Sequence, residues 1–451
     1  MTPRLSTLLL LLLDLTSALL AFNLVGFARG VALPGAWIVA PLALPMIVLV
    51  AAIYLVQGYR PRTDMLSVDY ASQHAIAVTG AMVATLLVTY VIFPGGYELQ
   101  SSRFVIALSF VALAPLTLSY RRLLYLRTAA HAEARAIVFV GDAASGEAFQ
   151  NQCRDMGTTQ RVIYPAGHGA ADAAGSGVGT LSSILEDVAA QRLDVEAIVL
   201  RESARELGDD VSDKLVRLYF AGVPTYTLEL FHEVYWQKIP LYRLNQTWLF
   251  QEGFKMAREP VFDHAKRASD IVLALTGLLG ALPLIGLAAV AIWLEDRGPA
   301  IFTQTRIGRN HVPFRLFKLR TMRVVHGGGR YTRPDDDRIT RIGRFLRLSR
   351  IDEFPQLINV LMGDMSLIGP RAEWDQLVAD YEREIPCYHF RHLVRPGITG
   401  WAQVNYPYGA SVVDTQRKLE YDLYYIRHFS FRLDATIVLK TIHIMLFGKG
   451  R

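Results

Sequence analysis

Residues 349–371 read SRIDEFPQLINVLMGDMSLIGPR, in which an acidic pair, Asp352 and Glu353, precedes Pro355 and an apolar run. Proline favours the first turn of a helix and disfavours helical geometry in the residue before it, so the pair is predicted to lie at a helix N-terminus. The partial positive charge there stabilises carboxylates and bound phosphates. Four arginines are expected to surround the same point: Arg344, Arg347, Arg350 and Arg371. The pattern favours a phosphorylated substrate. The alternative is a capped surface helix with solvated arginines.

Further motifs flank this stretch: KRASD at 266–270, GP at 298–299, QTRIG at 304–308, FKLRTM at 317–322 and RPGITGWAQV at 395–404. Together they resemble the catalytic core of the polyprenyl-phosphate hexose-1-phosphate transferases, bacterial sugar transferases that start exopolysaccharide and O-antigen repeat units. The resemblance runs from Lys266 to the C-terminus. It departs at Ala372, where many members carry a second proline, and at Phe354, which is often leucine. The segment 406–411 resembles a sub-branch associated with exopolysaccharide export.

The resemblance implies transfer of a hexose-1-phosphate from a UDP-hexose to polyprenyl (undecaprenyl) phosphate. Asp352 would attack the sugar-linked phosphorus, release UMP and form an aspartyl-phosphosugar. Glu353, with Asp352, would hold Mg²⁺, a hard cation that prefers carboxylate and phosphate oxygens. The matching substrate-binding positions are Lys318, Arg347, Arg371 and Gln403.

Structural roles for several of these residues stay open from the sequence. Each of the three cations could instead form a surface salt bridge. Gln403 and Asp364 are open between site and structure, and Asp364 could shape a turn at Gly363. The identity of the hexose and the oligomeric state cannot be read from the residues, although the resemblance and the added domains favour a homodimer.

Two other functions are weighed against a transferase. A membrane-bound nucleotide-sugar epimerase or dehydratase would need a glycine fingerprint and a Tyr-x-x-x-Lys pair, and no such pair occurs in the chain. A non-catalytic membrane scaffold for polysaccharide export would have no need of Asp352, Glu353 and Arg371 together.

The composition is typical of a membrane protein, with 52% hydrophobic residues among 451 and a mean hydropathy of +0.25. Residues 1–125 are predicted to form a four-helix transmembrane bundle, because four apolar segments approach the length needed to cross a bilayer: 5–27, 37–56, 75–93 and 104–120. Basic residues concentrate on one side of these spans: Arg4, Arg60, Arg62, Arg121, Arg122 and Arg127, against Arg29 and Arg103. This asymmetry predicts that both ends of the bundle are cytoplasmic. Together with the resemblance, it implies a multi-pass protein of the bacterial inner membrane with its catalytic domain on the cytoplasmic face.

Residues 134–245 alternate between apolar strand patterns and helical patterns, which predicts a small Rossmann-like, doubly wound domain with a parallel sheet. The segment after the first strand, 141–146, lacks the Gly-x-Gly-x-x-Gly fingerprint, so the domain is interpreted as structural or regulatory rather than nucleotide-binding. A Gly- and Ala-rich stretch, 166–179, is predicted to be a surface loop, and 246–260 a linker into the catalytic domain at 260–451.

The apolar segment 271–294 could be a fifth span by length alone. Pro283 lies near its middle, and basic residues flank both ends, so the asymmetry that would fix a crossing is missing. The resemblance implies a re-entrant helix, about 268–296, that enters one leaflet, breaks at the proline and returns. Contact with membrane lipid is also expected for residues 419–428 and 433–447, where packing against the catalytic core is the alternative. The net charge of +6 fits lipid headgroups and phosphates better than nucleic acid.

Overall fold

The computed structural model describes residues 3–31, 37–60, 63–92, 102–133, 135–141, 143–158, 160–163, 181–201, 207–241, 260–323, 336–407, 409 and 411–447. The chain divides into two compact units, Met1–Gln237 and Lys238–Arg451. The predicted loop at 166–179 and the predicted linker up to residue 259 lie outside the described residues.

The first unit begins with four helices: α1 Pro3–Ala28, α2 Ala43–Leu55, α3 Val68–Leu87 and α4 Arg103–Glu133. Three segments here are long and apolar enough to cross a membrane: Leu5–Ala28, Val68–Ile92 and Arg103–Arg127. The second predicted span contains a shorter apolar helix, Ala40–Leu55. It is shorter because Pro41 and Pro45 fit only at a helix start. Side chains of all four helices share one buried apolar cluster that includes Phe22, Leu49, Val78 and Phe110.

A buried ion pair joins α1 to α4. The Arg121 Nη1 atom is 2.8 Å from Asp14 Oδ1, and both residues are fully buried. The hydroxyls of Tyr59 and Tyr120 donate to the same carboxylate. Arg121, which the sequence pattern counts among the basic residues on one side of the spans, is therefore an internal partner of Asp14.

A four-stranded parallel sheet follows, in the order β2-β1-β3-β4. Its strands are β1 Ala136–Val140, β2 Arg161–Ile163, β3 Val195–Leu200 and β4 Thr225–Thr227, and its helices are α5 Ala143–Asp155, α6 Leu181–Ala189, α7 Asp209–Phe220 and α8 Leu228–Phe231. Alternate residues of β1 pack into two clusters, one with side chains of α6 and α7 and the other with side chains of α5 and α8. Helices therefore cover both faces of this sheet.

The second unit carries the remaining elements: α9 Pro260–Asp296, β5 Ile301–Ile307, β6 Pro313–Leu319, α10 Arg341–Ser349, α11 Gln356–Met362, β7 Ser366–Ile368, α12 Asp375–Glu384, β8 Gly397–Thr399, α13 Trp401–Asn405, α14 Val412–Arg427 and α15 Phe431–Phe447. Strands β5 and β6 form an antiparallel hairpin, whereas β7 and β8 pair in parallel.

Helix α9 is continuous from Pro260 to Asp296, so the predicted break at Pro283 is wrong. Packing on both sides of the proline explains this. Ala274 contacts the cluster that contains Val360 of α11, and Ala288 packs with Leu346 of α10. The opposite face of α9 exposes large apolar side chains: Val272, Leu273, Leu275, Leu279, Leu282, Leu287, Val290 and Leu294. The helix is long and apolar enough to cross a membrane.

The tyrosines of α14 lie in the core of the second unit. Tyr421, Tyr424 and Tyr425 are buried in one cluster with Trp401 and Ile437. Packing, and not a lipid surface, therefore explains the aromatic pattern of α14. Helix α15 buries Ile437 but exposes apolar side chains on its other face: Val438, Ile442, Met445, Leu446 and Phe447.

Candidate active site

The acidic pair lies in a 3₁₀ turn, Ile351–Glu353, between α10 and α11. Arg350 ends α10 in the left-handed conformation, with a φ of 58°, and turns the chain toward the pair. Pro355 then caps α11. Asp352 and Glu353 are only 8% and 9% exposed, so both carboxylates are held away from bulk water. A capped surface helix would leave them solvated, which this structure does not do.

Three cations surround Glu353. Its Oε1 atom is 3.2 Å from Lys318 Nζ, 3.6 Å from an Arg371 Nη atom and 4.0 Å from an Arg350 Nη atom. Burial alone would raise the pKa of Glu353, but Lys318, Arg371 and Arg350 together lower it to about 2. Glu353 is therefore ionised across the physiological pH range, and it holds the three cations at one point.

Asp352 has a different environment although it is the next residue. Its Oδ1 atom is buried and has no hydrogen-bond partner among the described residues. Burial raises the pKa of Asp352 and the Glu353 carboxylate raises it further, against the opposing effect of Lys318, Arg347 and Arg350. A buried carboxylate oxygen without a partner matches the ligand preference of a hard divalent cation such as Mg²⁺.

The predicted arginines take unequal positions around this pair. Arg347 donates from Nε to the Thr321 hydroxyl at 2.9 Å, which orients its guanidinium beside Asp352. Arg371 and Arg350 show 40% and 43% of their side chains to solvent and so face the approach to the pair. Arg344 is exposed on α10.

Asn359 fastens the helix after the acidic pair to the strand that carries Lys318. This residue is fully buried. Its Oδ1 accepts from the Phe317 amide at 3.0 Å, and its Nδ2 donates to the Arg315 carbonyl at 2.7 Å. These two bonds fix α11 against β6, and they therefore also fix the position of Lys318 on that strand. Sequence reasoning missed this role, because the bonds join residues 42 and 44 positions apart.

Two of the sequence motifs pack backbone against backbone. The Gly369 amide donates to the Thr399 carbonyl at 2.9 Å, and the Gly397 amide donates to the Pro370 carbonyl at 2.9 Å. A Cβ atom on Gly397 would lie 2.0 Å from the Gly369 nitrogen, so no larger residue fits there. This contact explains why Gly-Pro-Arg and Arg-Pro-Gly-Ile-Thr-Gly motifs occur together: the second fixes the loop from which Arg371 extends.

Gln403 and Asp364 are the two residues that the sequence left open. Gln403 donates from Nε2 to the Ile398 carbonyl at 3.1 Å, and its Oε1 is buried without a partner among the described residues. Asp364 lies 3.3 Å from Asn359 Nδ2, beside Gly363, whose φ is 98°. Asp364 therefore shapes the end of α11, and the contacts of Gln403 fall on the β8 loop.

Arg306 and Arg391 support the site, and sequence reasoning gave neither a role. Arg306 donates to the Ala372 carbonyl at 3.0 Å, and burial together with Arg371 lowers its pKa to about 10. Arg391 donates to the Arg371 carbonyl at 2.9 Å and is itself held by Asp422 at 3.0 Å. Both therefore hold the backbone at Arg371 and at the residue that follows it. Arg306 could have been found from the sequence because it lies in the motif QTRIG. Arg391 lies in none of the motifs, so a single sequence gives no indication of its role.

Comparison with known proteins agrees with this geometry. Residues 261–448 match the family described as "Bacterial sugar transferase". Over 266 residues the chain is 40% identical to a "UDP-N-acetylgalactosamine-undecaprenyl-phosphate N-acetylgalactosaminephosphotransferase" of Aeromonas hydrophila, covering 58% of this chain and 62% of that protein. It is 42% identical over 181 residues to a "UDP-glucose:undecaprenyl-phosphate glucose-1-phosphate transferase" of Escherichia coli strain K12, covering 39% of each.

A shorter relative is matched almost completely. The chain is 40% identical over 194 residues to "Exopolysaccharide production protein PSS" of Rhizobium leguminosarum bv. phaseoli, covering 41% of this chain and 97% of that protein. The chain thus spans less than two thirds of the first two relatives and nearly all of the third. The chain belongs to the bacterial sugar transferase family.

Proposed function

We propose that this protein transfers a hexose-1-phosphate from a UDP-sugar to undecaprenyl phosphate, releases UMP and so starts an exopolysaccharide repeat unit. The observation that carries the proposal is the buried pair of adjacent carboxylates with opposite pKa shifts, one enclosed by cations and one with an unpartnered oxygen. The names of two relatives state transfer of a sugar phosphate to undecaprenyl phosphate, and a third is named for exopolysaccharide production.

Asp352 is the nucleophile in this proposal. Its carboxylate attacks the phosphorus that bears the sugar, the bond to the UMP oxygen breaks, and the phosphosugar remains on Asp352. The phosphate of the lipid acceptor then attacks the same phosphorus and regenerates the free carboxylate. A raised pKa supports this role, because a more basic carboxylate is the better nucleophile once it is ionised.

In this proposal Glu353 positions the cationic side chains around the acidic pair. Through its ion pairs it orients Lys318, Arg350 and Arg371, whose cations stabilise the charge that develops on the phosphate oxygens. Asp352 and Glu353 would hold Mg²⁺, which neutralises further phosphate charge when it is bound. Arg347 binds a substrate phosphate in the same proposal, and Gln403 supports the loop that contacts the substrate.

In this proposal the catalytic unit works at the cytoplasmic face of the bacterial inner membrane, and the continuous helix α9 contacts one leaflet without crossing the bilayer. Both ends of α9 are tied to the same unit, which supports this placement. Near its start, Lys266 Nζ is 2.6 Å from Asp434, and at its end Glu295 accepts from the Arg341 amide at 2.9 Å. A crossing would draw one end roughly 30 Å from the other along the membrane normal.

The parallel-sheet part of the first unit is a Rossmann-like, doubly wound module in this proposal. Its strand order and its helices on both faces support that assignment. Its role is structural or regulatory, since the glycine fingerprint for a dinucleotide is missing. The expected homodimer stays a prediction.

The decisive experiment is intact-protein mass spectrometry after brief exposure to a UDP-sugar without lipid acceptor. UDP-glucose, UDP-galactose and their N-acetylated forms are each supplied with Mg²⁺. We expect UMP release and a hexose-phosphate adduct that maps to Asp352. Asp352→Asn should abolish both while UDP-sugar still binds, and Asp380→Asn on α12 serves as the matched control. Sequential kinetics without an adduct would point to direct transfer, and absence of UMP release with every donor would favour the non-catalytic scaffold.

A further inference from the structure

Three potential metal ligands that the proposed reaction does not use meet at the tip of the β5–β6 hairpin. His311 ends the 3₁₀ turn Arg309–His311 between those strands, Glu382 lies on α12, and His392 lies in the 3₁₀ segment Tyr388–Leu393. One ligand atom from each lies within 4.8 Å of the others. The His311 Nδ1 atom is 3.4 Å from Glu382 Oε1, and the two imidazole rings have centroids 4.6 Å apart.

His392 supplies an independent observation that points to a ligand. It is 6% exposed, and its Nε2 atom is buried without a hydrogen-bond partner among the described residues. The backbone of Gly308 lies beside the same ring. Buried polar atoms without partners are rare in folded proteins. A histidine that fixes one ring nitrogen on the backbone and presents the other is the usual arrangement of a metal ligand.

We propose that His311, Glu382 and His392 bind a divalent transition-metal ion of the Zn²⁺ class. Two imidazoles and one carboxylate form a donor set that suits Zn²⁺, with a fourth position for water. Tetrahedral ligands about 2.1 Å from the ion lie roughly 3.4 Å from one another. His311 and Glu382 already have that separation, and both are exposed, so their side chains can rotate toward the buried His392.

The ion would stabilise the catalytic unit at a specific place. It would join the hairpin tip to α12 and to the residue beside Arg391. Arg391 donates to the Arg371 carbonyl, so the ion would also stiffen the support of the loop that carries Arg371. Mg²⁺ would not replace it, because this hard cation prefers oxygen ligands throughout.

Zinc titration of the full-length protein without a histidine tag tests this site. The protein is stripped with a chelator in lipid nanodiscs and titrated with Zn²⁺ against a chromophoric competitor, in excess Mg²⁺. We expect one tight Zn²⁺ per chain. His311→Ala and Glu382→Gln should each weaken binding at least tenfold, whereas His389→Ala and Glu384→Gln, exposed neighbours outside the cluster, should leave it unchanged.

Thermal unfolding provides the second readout. Zn²⁺ should raise the unfolding temperature of the unaltered protein and not that of His311→Ala. Replacement of the exposed ligands avoids disturbing the buried His392. The proposal would be overturned if the unaltered protein does not bind Zn²⁺ stoichiometrically. It would also be overturned if His311→Ala and Glu382→Gln bind Zn²⁺ as tightly as the unaltered protein does. Neither result depends on turnover, so the transferase proposal is tested separately.

Discussion

Asp352 and Glu353 are adjacent in the chain, yet their surroundings shift the two pKa values in opposite directions. The cations lie against Glu353, and its negative charge then acts on Asp352 beside it. The two carboxylates therefore differ: Glu353 stays ionised among the cations, and Asp352 is the more basic carboxylate, with a buried oxygen that has no partner among the described residues. Separation of this kind is common where two carboxylates share one site.

The pH dependence of the first half-reaction follows from this separation. Asp352 must be ionised to attack, and its pKa is raised, so kcat/KM should fall on the acid side at a higher pH than an ordinary aspartate would give. Glu353→Gln removes the neighbouring negative charge, which lowers the pKa of Asp352 and moves the acid limb to lower pH. UMP release measured from pH 4 to pH 8 checks this, with Glu384→Gln as control. An acid limb that does not move would contradict the assignment.

Arg371 is predicted to act through its planar guanidinium. It lies 3.6 Å from Glu353 and 40% of its side chain is exposed, so a substrate phosphate can approach its guanidinium. Arg371→Lys keeps the charge but loses bidentate contact, and kcat/KM should fall at least about tenfold. Arg383→Lys, an exposed arginine on α12, should have full activity. A fully active Arg371→Lys enzyme would show that charge alone suffices.

Sequence reasoning located the acidic pair and its cations because residue type and local turn chemistry determine both. It could not locate Asn359 or Arg391, whose roles depend on contacts across tens of residues. The same limit affected Arg121. In the sequence it is one of several basic residues at the end of a span, and its burial depends on Asp14, which pairs with it from α1. The local pattern of residue types does not predict which residues of distant elements contact each other.

At the level of elements, the Asp14–Arg121 pair is predicted to hold the bundle together. Asp14→Asn would leave Arg121 buried without a counter-charge, and the loss should be about 3 kcal/mol of unfolding free energy or more. The double variant Asp14→Leu, Arg121→Leu should be less damaging, because no unpaired charge is then buried. Denaturation in detergent, followed by tryptophan fluorescence, compares them. Equal stability of Asp14→Asn and the unaltered protein would show that the pair contributes nothing.

Helix α9 gives a second test at this level. In a cysteine-free background, His264→Cys lies near the start of α9 and Ala300→Cys lies just after its end, and both should react only with reagent from the cytoplasmic side. Arg29→Cys, which is predicted to face the other side, is the control. The continuous helix through Pro283 shows why hydropathy could not settle the matter: the sequence reports an apolar segment, whereas α10 and α11 decide which face it buries. Labelling of either flanking cysteine from the periplasm would show that α9 crosses.

For the whole molecule, all the proposed catalytic groups belong to the second unit, while the parallel sheet and the helices around it in the first unit follow the alternating strand and helix pattern of the sequence. The alternating pattern was sufficient there because a parallel sheet with helices on both faces requires little beyond it. In the second unit, the short strands β7 and β8 escaped notice, since three residues carry no period. Backbone packing between glycine motifs, and not a hydrophobic pattern, defines that part of the site.

Separability of the two units is the last prediction, and the structure specifies where to cut. A chain that begins at Gln251 contains every proposed catalytic residue, and it should retain UMP release with reduced stability. The stability falls because this cut removes Lys238 and Ile239. Lys238 lies 3.1 Å from the buried Glu420, and Ile239 is buried in the core of the second unit. Among the described residues, Glu420 then keeps only the longer contact with Arg417, so the loss should be up to about 3 kcal/mol of unfolding free energy. A chain that begins at Lys238 retains these contacts and should match the stability of the second unit in the full protein. The near-complete match to the short Rhizobium relative supports independent folding of this part. Turnover by neither chain, with both folded and bound to membranes, would show that the first unit contributes directly to the site.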